Sequence, residues 1–505
     1  MASRSVHPKV IRNLRRLNSS APSITVVPPL INPGRPEKVA KRPLQPTPTP
    51  SPPTTTADSA STSTNSSDFQ LELDDTKRLF SSVSTPKLIK SASMLKISSY
   101  DRAADFGLWI MTSGLMNNPM VRKLVLAATE HTFYSHFCAG KDLEKASRTV
   151  EKLWDSGLGA MLDYGLEHAT DNESCDRNLQ EFLRTINSTK SVDSCQVSFV
   201  VVKITAICPP SLLRRVSDLL RWEQKDKSLH LPWKLKNLPV FSESSPLYHT
   251  MTRPPPLSRE EEHDLELAYE RLDKICKNSI EANKPLLIDA EDTAIQPAID
   301  YFSYSAAIKY TGKEDDPLIF NTIQAYLKDA KERLVIAKKA ADKMGVPVGF
   351  KLVRGAYMSS EKQFAASLGV KSPIHDDIQK THNCFDDCAE FLLEEVARGS
   401  GSVVLATHNI ESGRKAASKA ISLGLERNNP YFQFAQLYGM AEVLSFSLRN
   451  EGFRVSKYLP FGPVEQIMPY LLRRAEENRG LLAASSIDRA LMKKELLRRL
   501  TSPGS

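Results

Sequence analysis

The sequence predicts a closed parallel α/β barrel, eight βα units long, entered through a helical arm. Three observations carry that expectation. From about residue 159 onward, short β-rich runs alternate with longer helical stretches. Eight such runs lie in one row of about 320 residues. Most stay apolar through their middles, as strands covered on both faces must. An open doubly wound sheet is the competing arrangement.

The chain before the barrel divides by composition. Residues 1–42 hold nine Lys/Arg and one acid, Glu37. Arg4, Lys9, Arg12, Arg15 and Arg16 punctuate small, polar and apolar residues, which is the composition of a mitochondrial or chloroplast transit peptide. A basic tail without a targeting role is the alternative. Taking these residues from the 67 basic and 59 acidic residues of the chain leaves 58 of each. The body is therefore neutral, and its charge gives no argument for nucleic acid. Pro, Ser and Thr make up 19 of the 25 residues at 43–67. Such a stretch cannot bury enough surface to offset chain entropy, so 43–73 is expected to be a disordered linker. Residues 74–156 carry helical periodicity without a strand signal and form the arm.

The barrel is expected over 157–485, with strands near Met161–Glu167, Ser198–Ile207, Pro285–Glu291, Leu318–Tyr326, Val348–Tyr357, Ser402–Asn409, Tyr431–Gly439 and Arg454–Gly462. Helical patterns such as Leu327–Met344 and Met440–Asn450 fill the gaps. The second gap, 209–284, is too long for one helix and reads as an insertion. It opens with a helix at Leu212–Arg221, turns irregular and Pro-rich, and resumes at a capping box, Ser258-Arg259-Glu260-Glu261. A helix and tail, 486–505, close the chain.

Chemistry in such barrels sits at the C-terminal strand ends. Those ends carry Lys203; Asp289 with Glu291; Gln324; Lys351 and Arg354; Thr407 and His408; Gln436 to Tyr438; and Tyr458. One such residue alone would read as a cap or a solvated rim group. Seven occupied ends together read as a site for an anionic, partly flat ligand. They include no Ser/His/Asp arrangement and no metal-ligand cluster. Seven scattered cysteines without Cys-x-x-Cys fit a reducing compartment, with Cys384 and Cys388 read as packed thiols. There is no P-loop, and Gly399-Ser400-Gly401 precedes a strand and lacks the third Gly of a dinucleotide fingerprint. No run of 18 apolar residues suits a spanning helix.

Beyond the eighth strand, Pro469 reads as the opening of a helix on which Tyr470, Arg473, Arg474 and Glu477 share one face. Two guanidinium forks near a helix N-terminus suit a small carboxylate. A solvated charged face is the plain alternative.

These residues carry a resemblance. Val202-Lys203-Ile204-Thr205-Ala206, Ile288-Asp289-Ala290-Glu291, Asn321-Thr322-Ile323-Gln324-Ala325-Tyr326, Lys351-Leu352-Val353-Arg354-Gly355-Ala356-Tyr357, Ala406-Thr407-His408-Asn409 and Tyr470-Leu471-Leu472-Arg473-Arg474 stand in order, most at their own predicted strands. Over roughly Leu79 to Leu500 the chain resembles the FAD-dependent proline dehydrogenases, of the plant mitochondrial type. The resemblance implies a distorted (β/α)8 TIM barrel whose last helix lies over the mouth. It implies oxidation of L-proline to 1-pyrroline-5-carboxylate by hydride transfer from C5 to flavin N5.

By the same resemblance, Lys203, Arg473 and Arg474 bind the substrate carboxylate. Tyr458, Tyr470 and Leu437 pack its ring, Asp289 orients that layer, and Glu477 pairs with the arginines. Gln324, Lys351, Arg354, Gly355, Ala356, Thr407 and His408 meet FAD. Bacterial relatives read Arg-x-x-Lys-Gly-Ala-Tyr on strand five, whereas Lys351 and Arg354 stand here in exchanged order. Strand alternation separates these two unless the strand end twists, and the reading favours Lys351 at flavin N5. Electrons then pass to a quinone or another respiratory-chain carrier, with contact at the inner mitochondrial membrane. Hydroxyproline dehydrogenase and a methylenetetrahydrofolate-reductase-like flavin barrel are the alternative activities. A non-catalytic barrel is a third reading.

Overall fold

Eight parallel strands close on themselves in the computed structural model of this chain. It describes residues 69–98, 109–110, 113–190, 196–312, 316–480 and 482–501, without the side chains of 98 and 475–485. The strands are β1 (Gly159–Tyr164), β2 (Val197–Val202), β3 (Leu286–Ile288), β4 (Ile319–Gln324), β5 (Gly349–Val353), β6 (Ser402–Ala406), β7 (Phe432–Leu437) and β8 (Val455–Phe461). Each pairs with its neighbours in chain order, and β1 closes on β8 with Met161 opposite Tyr458. The closure rules out the open doubly wound sheet.

Alternation along the strands builds two cores. Met161, Phe199, Val201, Leu287, Phe320 and Val404 fill the barrel itself. Their chain neighbours, among them Leu162, Val200, Ile288 and Leu405, face the outer helices. Each such aliphatic or aromatic side chain contributes roughly 1.5–3 kcal/mol by leaving water. Gly349 belongs to the inner set, and a Cβ there would meet the Phe320 ring at 2.4 Å. The small residue is what admits the large one.

Helix boundaries follow local signals. Asp171 and Ser174 form a reciprocal capping box before the helix Asn172–Ser188. Asp377 and Asn409 cap Ile378–Ala397 and Ile410–Ser422. The expected box at Ser258 is present, with Glu261 returning a bond to the Ser258 amide. The 209–284 segment differs in one respect. Its two expected helices, Pro210–Lys225 and Arg259–Glu281, both pack into the outer ring, so only the irregular part between them, 226–258, is inserted. That part is tied to the loop after β3. The His249 ring stacks on Phe364 and shares a 2.9 Å hydrogen bond with the Thr293 hydroxyl. The buried Arg221 on the preceding helix donates to the Thr293 and Ala294 carbonyls.

Three boundaries are corrected. The predicted linker extends to 73, yet Phe69 packs edge-on against Phe453 and Leu71 is buried, because two large apolar side chains interrupt the Pro/Ser/Thr composition. Its remainder, 43–68, and the predicted transit peptide lie outside the described residues. The closing helix begins at Leu482 rather than 486, since the Leu-Ala-Ala run there suits a helix.

The third correction concerns the helix over the mouth. It opens at Val464, with the Pro463 carbonyl accepting from the Gln466 and Ile467 amides, and Pro469 lies inside it. Tyr470, Arg473 and Arg474 therefore sit beyond the first turn, where the helix dipole adds little. This helix packs Ile467, Met468 and Leu471 into the same cluster as the barrel interior. It roofs the mouth. Leu482–Thr501 then descends beside the barrel, and Asp488 accepts from the Glu442 and Val443 amides at the start of Glu442–Asn450. No described helix is long and apolar enough to cross a membrane.

Candidate active site

The inward positions that end the strands converge under the roof helix. Lys203 donates to both oxygens of Asp163 at 2.9 Å and to the Tyr458 hydroxyl at 3.0 Å. That hydroxyl donates to Asp289 at 2.7 Å, and the other Asp289 oxygen accepts from Lys351. All five side chains are buried. Lys203 and Lys351 lie 5.8 and 5.4 Å from the centre of the Tyr458 ring. Two cations beside one aromatic ring form a positive floor with a flat apolar surface.

Burial opposes every charge in this floor, and the partners decide the outcome. Asp289 is held below the usual carboxylate range, because Lys351 and Lys203 outweigh its desolvation. Asp163 is pushed up by burial, which Lys203 only partly offsets. Lys203 is raised despite burial by Asp163, Asp289 and Glu167, and so stays a cation. The Tyr458 phenol is raised by burial and by both aspartates.

The roof holds the other cations. Arg473 forms a two-pronged ion pair with Glu167 from the loop after β1, one prong at 2.8 Å. Its guanidinium also lies 5.7 Å from the Tyr357 ring. Arg474, buried, sits 4.9 Å from the Tyr470 ring. Glu477 is on the same helix, but its side chain lies outside the described residues.

The expected cofactor residues occupy the β4–β7 side. Lys351 points into the barrel. Arg354, three residues on, turns to the opposite face and donates to His382, Thr407 and Ser412. Strand alternation holds, and only Lys351 faces the mouth. Gln324 donates to the Glu291 carbonyl at 2.9 Å. His408 accepts from the Leu437 amide through Nε2, which leaves Nδ1 as the protonated nitrogen. Burial and nearby cations lower its pKa to about 3, so the ring is neutral. Gly355 has φ of +126°, and a Cβ there would meet the Tyr326 ring at 2.5 Å. Ala356 follows in this turn and Thr407 accepts from Arg354.

This donor set fits a dinucleotide flavin. Arg354 is a desolvated guanidinium, lowered to about 10 by burial, whose hydrogen-bond partners are neutral side chains. Such a cation is suited to phosphate oxygens. The Gly355 turn offers backbone where a side chain would not fit.

Residues 146–486 match the proline dehydrogenase family, about two thirds of the chain. This chain belongs to that family. It is 56% identical over 432 residues to proline dehydrogenase 1, mitochondrial, of Arabidopsis thaliana, covering 85% of this chain and 87% of that one. With proline dehydrogenase 2, mitochondrial, of the same plant, identity is 48% over 502 residues, and coverage is 99% of both. A hydroxyproline dehydrogenase of Rattus norvegicus is 30% identical over 382 residues, 73% of this chain and 82% of its own length. Among solved structures, proline utilization A from Bdellovibrio bacteriovorus inactivated by N-propargylglycine aligns with a TM-score of 0.60 at 17% identity. That match covers 83% of this chain and 44% of the larger protein, and supports the barrel fold.

For a member of this family, two mouth residues escape the strand-end reading above, Asp163 and Glu167. Asp163 lies at the end of β1 and Glu167 in the loop after it, a strand end that reading passed over. The same rule applied there finds both. Glu291 stands inside a quoted motif, yet nothing in the motif distinguishes a buried acid from a rim acid.

Proposed function

We propose that this chain is a mitochondrial flavoenzyme that oxidises L-proline to 1-pyrroline-5-carboxylate, the opening reaction of proline catabolism, with FAD as its cofactor. The observation that carries the reading is the buried Lys203–Tyr458–Asp289–Lys351 floor beneath the helix that carries Arg473 and Arg474, with Glu167 between Lys203 and Arg473. Relatives named proline dehydrogenase align along nearly the whole chain at 48–56% identity, which favours proline over hydroxyproline.

Each residue then has a task. Arg473, Arg474 and Lys203 receive the substrate carboxylate. Tyr458, Tyr470 and Leu437 hold the ring flat, and Asp289 fixes Tyr458 and Lys351 relative to each other. FAD held by Gln324, Lys351, Arg354, the Gly355–Ala356 turn, Thr407 and His408 would supply the hydride acceptor. Lys351 places positive charge at the edge of the site where electron density increases. The roof helix and the Arg473–Glu167 pair exclude water from a reaction that needs positioning more than a nucleophile. Tyr458 leaves little room for a ring hydroxyl.

Electrons leave to a quinone or another respiratory-chain carrier at the inner mitochondrial membrane. The arm is the proposed docking element. Its helix Pro119–Thr129 buries none of its side chains, and Met120 and Leu124 are 82% and 72% exposed. Residues 85–129 hold six Lys/Arg against two acids, Asp101 and Asp105, a basic excess that suits an anionic lipid surface. Flotation with cardiolipin-containing liposomes tests this; full recovery after Met120→Ser and Leu124→Ser would discard it. For the activity itself, the purified protein is titrated anaerobically with L-proline while flavin absorbance is followed. Bleaching by proline and not by hydroxyproline is expected. A flavin reduced only by a nicotinamide would replace this reading with the reductase alternative.

A further inference from the structure

A ring nitrogen that enters as an ammonium has no lone pair with which to close a C=N bond. One N–H proton must therefore leave before, or as, the C5 hydride departs. Most groups at the mouth are committed elsewhere. Asp163 holds Lys203 with both oxygens, and Asp289 is bonded to Lys351 and Tyr458. Glu167 spends both oxygens on Arg473. Lys203 keeps its own proton under three neighbouring carboxylates.

Glu291 is different. It ends the inward row of β3, and 1% of it is exposed. One oxygen accepts from the Thr205 hydroxyl at 2.7 Å. The other, Oε2, is buried and has no hydrogen-bond partner among the described residues. Among the described residues the basic side-chain nitrogen within 4 Å of it is His168 Nε2, 3.6 Å away on a side chain that is 49% exposed. His168 has φ of +58°, a left-handed conformation uncommon outside glycine, in the loop after β1. A buried acid with one free oxygen, next to a half-exposed imidazole, forms a path from the mouth to water.

We infer that Glu291 accepts the proton of the substrate ring nitrogen, directly or across one water, and that His168 passes it to solvent. The step rests on the activity proposed above. The N–H bond breaks toward the Glu291 carboxylate and frees the nitrogen lone pair. The C5–H bond breaks with its electron pair going to the oxidised flavin, and the lone pair closes C5=N as an iminium. Glu291 returns to its ionised form by giving the proton to His168, which gives it to water.

The groups facing Glu291 set its titration: Glu167 and His168 from the β1 loop, Lys203 and Thr205 after β2, Asp292 beside it, Tyr357 after β5 and Arg473 on the roof. Burial raises its pKa to about 8; Thr205 and Lys203 oppose the shift, and Glu167 and Asp292 reinforce it. The base form therefore grows as pH rises toward 8.

Anaerobic stopped-flow reduction by L-proline between pH 5.5 and 9 tests this, with flavin content checked for each protein. In the native enzyme the apparent second-order rate constant should rise with pH and level off. Glu291→Gln should keep its flavin, lose that rise and fall by about 100-fold at the plateau, the scale of a missing general base. Glu291→Asp should keep the rise. His168→Asn, which tolerates the left-handed backbone, should make proton release to an indicator dye lag behind bleaching, and imidazole should abolish the lag. A Glu291→Gln enzyme within threefold of native with the same pH rise would overturn the assignment. If that variant loses its flavin, His168→Asn decides, and release in step with bleaching overturns it. No bleaching of the native enzyme at any pH would instead remove the activity on which both rest.

Discussion

At the floor of the mouth, Asp163, Lys203, Tyr458, Asp289 and Lys351 are bonded in series on or beside strands that pair on both sides. At the roof, Arg473 and Arg474 sit on one helix, and Arg473 is tied to Glu167 on a loop. Both regions bury cations against carboxylates, yet they answer a ligand differently. A substrate carboxylate can approach Lys203, but it cannot draw Lys203 away from Asp163 without leaving a buried acid unpaired. It can replace Glu167 in the Arg473 fork, because the two anions present the same geometry. The floor fixes orientation; the roof captures and releases.

Substitutions should separate the two. The largest effect is expected from Lys203→Ala, which strands Asp163 in the floor and should destabilise the fold by about 3–5 kcal/mol. Urea unfolding measures it, and a loss below about 1 kcal/mol would mean the floor is not a linked unit. Arg473→Ala should instead fold and lose about 2–5 kcal/mol in kcat/KM. The loss should appear mainly in KM, as steady-state kinetics would reveal. Tyr458→Phe removes one bond from Lys203 and one to Asp289 and should cost about 1–3 kcal/mol of stability. It should still reject hydroxyproline, because the ring remains; Tyr458→Ala should not.

Glu291 gives the comparison a pH axis. Its folded pKa of about 8 lies above the ordinary value of 4.5. Between those values the folded state holds a proton that the unfolded state has released, so stability falls as pH rises through that window. The penalty is complete above about pH 8. Glu291→Gln should therefore gain stability over native progressively from pH 5 to 8. A gain of a few kcal/mol at the upper end is the expected scale, and equal Tm differences at pH 5 and pH 8 would contradict it. The smallest effect is expected from Glu167→Gln, which frees Arg473 for the substrate and should lower KM up to about tenfold, near 1.4 kcal/mol.

The sequence made the floor easier to foresee than the roof. Strand alternation alone puts 203, 289, 351 and 458 on one inner surface, and Lys351 and Arg354 on opposite ones, as observed. The eight apolar runs likewise foretell the closed barrel. Local pattern could not place the start of the roof helix. Pro469 looks like an opening residue, but Pro463 supplies the first carbonyls, and tertiary packing of Ile467 and Leu471 carries the helix through the interior proline. The same gap hides the pairing of Glu167 and the free oxygen of Glu291. Whether an acid is paired or alone depends on contacts between distant segments, and spacing does not encode them. Phe69 and Leu71 show the opposite error, where a compositional window overran two side chains that pack.

In this division of labour the roof cation Arg473 reads the substrate carboxylate. The most direct measurement compares L-proline with its neutral amide, as dissociation constants from anaerobic flavin bleaching, in the native enzyme and in Arg473→Ala. A strong preference for proline is expected in the native enzyme, and most of it should disappear in the variant. An undiminished preference in Arg473→Ala would place carboxylate recognition elsewhere and contradict the division between floor and roof.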